Sequence, residues 1–448
     1  METTNTTAQR SFWERYAYAI KAIVIGILVL VLLIPTAMIM GLINERKHLQ
    51  QQATEEVSAK WANAQTITGP VLVVPYTEIN VIKTETAVRE EEVLRYACFL
   101  PEQLTINGQL QPEIRKRGIY EVAVYGSRFQ LSGSFTAPDL AALNISSERL
   151  RWNEASLAMG ISDMRGIGNQ VQVLWNGQPF VFNPGTPPGG LLGSGLQAKV
   201  PLAAESVDSA GASFTINLQL KGSGEVNFSP VGKTTRVNLQ AGWSDPSFDG
   251  AFLPDTRKVE DKHFSAAWQV LHLNRNFPQS WILGNDKYDI HDADFGVKLF
   301  LPVDVYLKSM RAVKYAILII GLTFLLFYFI ELLRHHSVHP LQYILIGVAL
   351  CIFYTLLISQ AEQLGFNAAY CIATLLTLGL VTTYTVSVLK KTGTALAVGG
   401  TLLTLYGFIY VIIQSEDQAL LMGSLGLFII LAIVMYFSRK IRWEALGR

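Results

Sequence analysis

The sequence predicts an integral membrane protein with six transmembrane helices and a large all-β, sandwich-like domain outside the membrane. Apolar segments occur near the N-terminus, at 22–43, and throughout 312–437, whereas the long stretch between them is polar. A helix of about 20 apolar residues crosses the roughly 30 Å hydrocarbon layer of a bilayer. Within the polar stretch, apolar residues alternate with polar ones in short runs, the period of half-buried β-strands.

Composition agrees with this fold class. Half of the 448 residues are hydrophobic, only 16% are charged, and the formal net charge is +1. Such a balance is too apolar for a soluble enzyme of this length, and without a basic cluster it predicts no nucleic-acid partner. Cys98 is the one cysteine in the polar stretch, so the outer domain cannot form an internal disulfide and must be held by its core.

The apolar segments divide into six predicted spans. The first, 22–43, follows Lys21 and lacks a small-residue cleavage site, so we interpret it as an uncleaved signal anchor. The others separate at short polar loops. Their predicted positions are 312–333, 341–359, 368–389, 394–413 and 419–437.

Loop charges predict the orientation. Lys and Arg residues are confined to alternate loops of the C-terminal block, at Arg334, Lys390, Lys391, Arg439, Lys440 and Arg442. The loops at 360–367 and 414–418 contain none. By the positive-inside rule, the N-terminal tail 1–21 and the C-terminal tail 438–448 are cytoplasmic, and the domain 44–311 lies outside.

Turn residues divide the outer domain into strands. Asn176-Gly177 and Asn107-Gly108 each fit the two-residue type I′ turn of a β-hairpin, which requires a positive φ at both positions. The Pro/Gly-rich segment 183–195 either separates two β lobes or forms one surface loop.

Several segments resemble the CreD-type inner-membrane protein family. They are TGPVLVVPYTE at 68–78, DMRGIG at 163–168, SFDGAFLPDTR at 247–257 and the C-terminal spans. The resemblance covers nearly the whole chain in the same order. It implies a six-span protein of the Gram-negative inner membrane, with a periplasmic domain and a link to cell-envelope integrity and a two-component stress system. It supplies no catalytic residues.

The DMRGIG segment holds the candidate partner-contact residues, Asp163 and Arg165. Two glycines beside an acid–base pair predict a tight turn. Arg165 either binds an anionic group of a partner or braces the turn internally against Asp163, and the internal brace is the more common use of such a pair.

Other polar clusters are weaker candidates. His335, His336 and His339 have a spacing that can bind a metal on a helix, but they lack further ligands and fit a membrane border. The segment 291–294, HDAD, could bind a hard cation or move a proton, yet Asp is also common in turns. With no Walker, G-x-S-x-G or H-E-x-x-H motif in the sequence, we predict no catalytic residues, metal or cofactor.

The ionisable residues of the spans lie at or near the span ends, where Glu331 and Glu362 are expected at solvated borders. A transport site would place such a residue in the middle of a span. We therefore predict a non-enzymatic membrane protein, and the resemblance implies a role in the envelope stress response. Its expected partners are the lipid bilayer and an envelope protein, lipid or glycan, and the sequence favours no oligomeric state. A transporter of small molecules or lipids and a membrane-anchored periplasmic hydrolase are the alternatives.

Overall fold

The computed structural model describes residues 17–84, 87–202, 211–284, 288–299, 301, 305–334, 338–415 and 418–439. They form two compact units. The helical unit contains the described residues of Met1–Gln50 and Val303–Arg448, and the β unit contains those of Gln51–Pro302.

Long helices make up the helical unit. Among the described residues, six helical segments are long and apolar enough to cross a membrane, in agreement with the six predicted spans. The helices are α1 (Ala17–Trp61), α2 (Val305–Lys314), α3 (Ala316–Arg334), α4 (Pro340–Leu364), α5 (Phe366–Leu389), α6 (Thr392–Gln414) and α7 (Ala419–Ser438). Helices α2 and α3 together form one of the six segments, Val305–Leu333.

Helix α1 continues well beyond the apolar segment that predicts it. Its last residue is Trp61, because the residues after Ile43 include many strong helix formers and neither Gly nor Pro. At the other end of the predicted domain, Arg311 lies inside α2. The predicted domain of 44–311 therefore has helical residues at both ends, and its β structure begins at Gln65.

Glycines allow close helix packing in the helical unit. A Cβ on Gly347 of α4 would lie 2.1 Å from a methyl carbon of Leu32 in α1. A Cβ on Gly399 of α6 would lie 2.5 Å from the hydroxyl of Thr382 in α5. Small residues at such crossings are typical of membrane helix bundles, where packing rather than the hydrophobic effect drives association.

Two sheets form the β unit, which confirms the predicted sandwich-like fold. The strands of the first sheet are β1 (Gln65–Thr84), β2 (Ala87–Phe99), β5 (Ser156–Ile161), β8 (Asn183–Pro184), β9 (Gly195–Lys199), β11 (Glu225–Ser229), β13 (Pro246–Gly250), β16 (Ser280–Ile282) and β17 (Phe295–Leu299). Their order is β13-β17-β11-β1-β5-β9-β8, with β2 paired to β1 and β16 paired to β2.

The strands of the second sheet are β3 (Gln103–Arg117), β4 (Tyr120–Phe135), β6 (Gln172–Trp175), β7 (Gln178–Val181), β10 (Ala212–Ser223), β12 (Thr234–Ala241), β14 (Thr256–Glu260) and β15 (His263–Leu271). Their order is β14-β15-β12-β3-β4-β10-β6-β7. Most of the long strands show alternating burial, so one face of the sheet is in the core and the other is exposed.

Aromatic pairs join the two sheets through one core. Phe129 of β4 meets Phe228 of β11 edge to face, with ring centroids 5.6 Å apart. The ring centroids of Trp268 in β15 and Phe295 in β17 are 5.7 Å apart. A continuous cluster of buried apolar residues extends across both sheets. The segment 183–195 therefore does not separate two lobes, and it leads through the short β8 into β9 of the same sheet.

One of the two predicted hairpins is confirmed. Asn176 and Gly177 both have a positive φ and connect β6 to β7. The prediction at Asn107-Gly108 is wrong, because both residues lie inside the continuous strand β3. A side chain at position 108 would clash with the core, because a Cβ there would lie 2.6 Å from the ring of Phe129. A glycine in a strand can thus mark close packing as well as a turn.

Candidate functional site

The candidate turn lies between β5 and β6 in the β unit. Met164–Gly166 forms one turn of 3-10 helix, and Asp163 caps it by accepting a hydrogen bond from the backbone N–H of Arg165. Gly166 has no room for a side chain, since a Cβ would lie 2.3 Å from the carbonyl oxygen of Lys221. The backbone of this turn is therefore packed directly against β10.

Asp163 is at the centre of a hydrogen-bond network. Its side chain is only 8% exposed. The Arg165 guanidinium donates to both carboxylate oxygens, from Nε at 2.9 Å and from Nη2 at 2.7 Å. The backbone N–H of Asn63 donates to Oδ2 at 2.9 Å. The hydrogen bonds from Arg165, together with those from backbone N–H groups, outweigh burial and lower the pKa of Asp163 from 3.8 to about 2.

Further contacts tie the turn to the end of α1 and the start of β1. Arg165 Nη1 donates to the carbonyl oxygen of Ala59, in the part of α1 that belongs to the β unit. The Gln65 amide donates to the carbonyl oxygens of Asp163 and Lys221, at 2.9 Å each. The internal brace predicted for Asp163 and Arg165 is therefore present. The Arg165 side chain is still 57% exposed, and its predicted contact with a partner stays a prediction.

A mostly apolar groove of about 640 Å³ lies beside this turn. Met164 and Ile167 line one part of it, and Gly185, Gly193 and Leu196 from the Pro/Gly-rich segment and β9 line another. The described lining contains no carboxylate, imidazole or thiol. The groove can accommodate an apolar group, but it presents none of the usual side chains of acid–base or thiol catalysis.

The 291–294 segment forms a short 3-10 turn with an internal hydrogen bond. His291 Nδ1 lies 2.9 Å from Asp294 Oδ2, and this hydrogen bond raises the pKa of His291. Ser229 donates to the other oxygen of Asp294 and lies 2.8 Å from the hydroxyl of Thr68. The carboxylate, not the imidazole, contacts the serine, so the arrangement lacks the base–nucleophile contact of a hydrolase triad.

Metal binding finds no support among the residues that the structure describes, which contain no group of three or more His, Cys, Asp or Glu side chains suited to a metal. His335 and His336 lie outside those residues. His339 caps α4, where its Nδ1 accepts a hydrogen bond from the backbone N–H of Leu341 at 3.2 Å.

Sequence reasoning missed the ion pairs of the helical unit. Glu331 of α3 forms an ion pair with Lys21 of α1, and its side chain is only 4% exposed. Tyr343 of α4 also donates to Glu331, at 3.4 Å. Glu362 of α4 lies 3.8 Å from the guanidinium of Arg46 in α1, and its side chain is 13% exposed. The expectation of a solvated border is wrong for Glu331, which is almost fully shielded, whereas Glu362 is partly shielded and pairs with the more exposed Arg46.

Arg275 is a second buried charged residue that no sequence motif predicted. It is buried in the β unit and stacks on Phe277, with its guanidinium carbon 4.0 Å from the ring centroid. It donates to the carbonyl oxygens of Phe277 and Pro278 and to the side chain of Gln279. Burial lowers its pKa to about 10. These contacts fix the loop after β15, so its role is structural.

Comparison with known proteins places this architecture in a family. The model of the inner membrane protein CreD family matches residues 17–444. The chain belongs to the CreD family. It is 33% identical over 417 residues to the inner membrane protein CreD of Escherichia coli (strain K12), and the match covers 93% of this chain and 92% of that relative.

CreD-family membership confirms the resemblance carried by the DMRGIG segment and the C-terminal spans. The matched region includes nearly all of both compact units. The family description identifies an inner membrane protein, in agreement with the six membrane-spanning candidates. It names no substrate, cofactor or reaction for the CreD family.

Proposed function

We propose that this CreD-family protein supports the integrity of the cell envelope, with its β sandwich in the periplasm and bound to another envelope component. The observation that carries the proposal is the combination of a large, well-packed sandwich with a six-span inner-membrane unit. In the described residues, the polar clusters of the sandwich are engaged in bracing turns and loops. Exposed sheet faces and the groove beside the candidate turn are the surfaces that remain for recognition.

The contacts of the helical unit support an anchoring role for the helices. Glu331 and Glu362 are ionisable side chains shielded within this unit, and each faces a cation from α1. Such pairs hold α1 against α3 and α4. A transporter would instead place an ionisable or polar path near the bilayer centre, and these pairs lie close to the ends of the apolar segments.

The periplasmic orientation leads to a prediction about reporter fusions. Lys390 and Lys391 occupy the tight connection between α5 and α6, and positive connections face the cytoplasm. Alkaline phosphatase, which is active only outside the cytoplasm, is expected to be active when fused after Asn176 and inactive when fused after Lys391. Immunoblots control for the amount of each fusion. Activity after Lys391 would overturn the proposed topology.

Loss of the protein is expected to sensitise the host cell to envelope stress. A deletion strain, compared with the same strain carrying the full-length chain on a plasmid, should lose viability under detergent or osmotic challenge, and growth without challenge should change little. The Asn153→Thr variant, which changes an exposed position, serves as a matched complementation control. Equal survival of the deletion and complemented strains under every challenge would reject the proposed function.

A further inference from the structure

The exposed face of the second sheet carries a block of carboxamide side chains. Strands β12, β3, β4 and β10 are neighbours there, and alternate side chains point away from the core. The strand registers place eight exposed residues in two rows that cross the strands. We name this surface the amide face. Its first row is Asn238, Asn107, Gln130 and Asn217, and its second row is Gln240, Gln109, Arg128 and Gln219.

The amide face offers hydrogen bonds of both kinds with little charge. Seven of its eight side chains are carboxamides and the eighth is a guanidinium. A carboxamide has two N–H donors and an acceptor oxygen. Asn238 Nδ2 donates to Asn107 Oδ1 at 2.9 Å, which leaves further donors and acceptors on both groups. Such a surface suits a neutral ligand whose polar groups also donate and accept hydrogen bonds.

The spacing of the amide face is regular in both directions. Adjacent strands are about 4.8 Å apart, so each row presents one polar side chain at that interval. The two rows are separated by two residues along each strand, or roughly 6.7 Å. The first interval is close to the length of one sugar residue in an extended β(1→4)-linked chain, and the second is close to the width of a pyranose ring.

We propose that the amide face binds an extended β(1→4)-linked glycan of N-acetylated sugars, laid across the strands with about one sugar per strand. Sugar hydroxyls both donate and accept hydrogen bonds, as carboxamides do. An acetamido group also matches a carboxamide, because each supplies an N–H and a carbonyl oxygen. The two rows contact opposite edges of the same glycan chain.

The shape of the surface supports the same ligand. A groove of about 450 Å³ is lined by Asn107, Asn238 and Gln240 of the amide face and by Arg257 and Lys258 of β14. Lys258 is already paired with Glu260. A polyanion would require a larger cluster of cations than the face provides. An extended peptide would pair with the backbone at a sheet edge, whereas the amide face belongs to strands in the interior of the sheet.

This inference rests on the proposed function and names the class of envelope component. The direct test is titration calorimetry on the full-length protein in detergent micelles. The probe is the β(1→4)-linked hexamer of N-acetylglucosamine, and the control ligand is the glucose hexamer with the same linkage. Co-sedimentation with purified cell-wall sacculi then tests the polymer that carries such sugars in an envelope.

The variant for this test replaces two central amides, Asn107→Thr with Gln130→Thr. Threonine is short and favours strands, so the melting temperature should not change. Each threonine carries one short hydroxyl in place of a carboxamide, so the two positions lose the longer groups that reach the sugars, and binding of the N-acetylated hexamer should weaken by at least about tenfold. The matched control, Asn153→Thr, lies at an exposed position outside the amide face and should bind as the natural sequence does.

Saturable binding of the N-acetylated hexamer that falls in the double variant, with weaker binding of the glucose hexamer, supports the inference. Equal binding of the two hexamers, or binding unaffected by the double variant, overturns it. Concentration-dependent self-association that the double variant abolishes, without glycan binding, assigns the face to a second copy and overturns it as well. If glycan binding is absent while the deletion strain remains sensitive to stress, only this inference fails. If the deletion strain shows no sensitivity, the proposed function fails.

Discussion

Replacing Glu331 with Met is expected to destabilise the helical unit by about 3 kcal/mol, because removal of one partner from a buried ion pair leaves the other charge uncompensated. Lys21 is the residue left without its partner, and its side chain is only 19% exposed. Tyr343 also loses an acceptor for its hydroxyl. The effect is measured as a lower melting temperature of the purified full-length protein in detergent and a lower abundance in membranes.

The double variant Lys21→Met with Glu331→Met provides the control for this mechanism. When both charges are replaced by apolar side chains of similar length, stability is expected to recover substantially, because no charge remains to be desolvated. The matched surface pair is Arg95 with Glu78, whose side chains are 46% and 41% exposed. Glu78→Met should cost at most about 1 kcal/mol. A cost at Glu331 no larger than at Glu78 would contradict the argument.

The sequence predicts the fold class because hydropathy and strand periodicity are local signals. An apolar run identifies a span without knowledge of its neighbours, and Asn176-Gly177 identifies a hairpin by its own backbone requirement. Pairing between distant segments has no local signal. Glu331 lies near the end of a span, and nothing in the adjacent residues indicates that it will form an ion pair with Lys21 of another helix. The same limit explains Gly108, whose constraint is the ring of Phe129 on the next strand.

The candidate turn was predictable in part for the same reason. Asp163 and Arg165 are two positions apart, so their ion pair is a local feature that residue types alone suggest. The contributions of Asn63, Gln65 and Ala59 come from other elements and require the fold. The amide face also requires the fold, because its rows exist only when four strands are aligned in register.

The second large effect is expected at Asp163. Its pKa in the folded protein, about 2, lies below the ordinary value of 3.8. The ionised carboxylate therefore stabilises the β unit fully above the ordinary pKa, by about 2 kcal/mol, and this contribution is lost as the pH falls through about 2. Asp163→Ala should cost about 3 kcal/mol at neutral pH, because it also leaves the Asn63 N–H without its acceptor.

Asp163→Asn separates the charge from the shape of the side chain. Thermal unfolding of the full-length protein, followed by the β-sheet band in circular dichroism between pH 6 and pH 3, should show a smaller loss of stability for Asp163→Asn than for the natural sequence. Asp261→Ala, at an exposed turn position, is the matched control and should leave stability at neutral pH unchanged. Parallel pH curves for Asp163→Asn and the natural sequence would contradict the role of the carboxylate charge.

Arg165→Ala then distinguishes a brace from a partner contact. If the guanidinium mainly holds Asp163 and the end of α1, the variant should lower the melting temperature in the same direction as Asp163→Ala, and envelope protection should fall with protein abundance. If the exposed part of Arg165 instead binds an anionic group of a partner, envelope protection should fall while the abundance and melting temperature of the variant stay normal. Normal survival together with normal stability would remove the turn from the candidate sites, and the exposed sheet faces would remain as the surfaces for recognition.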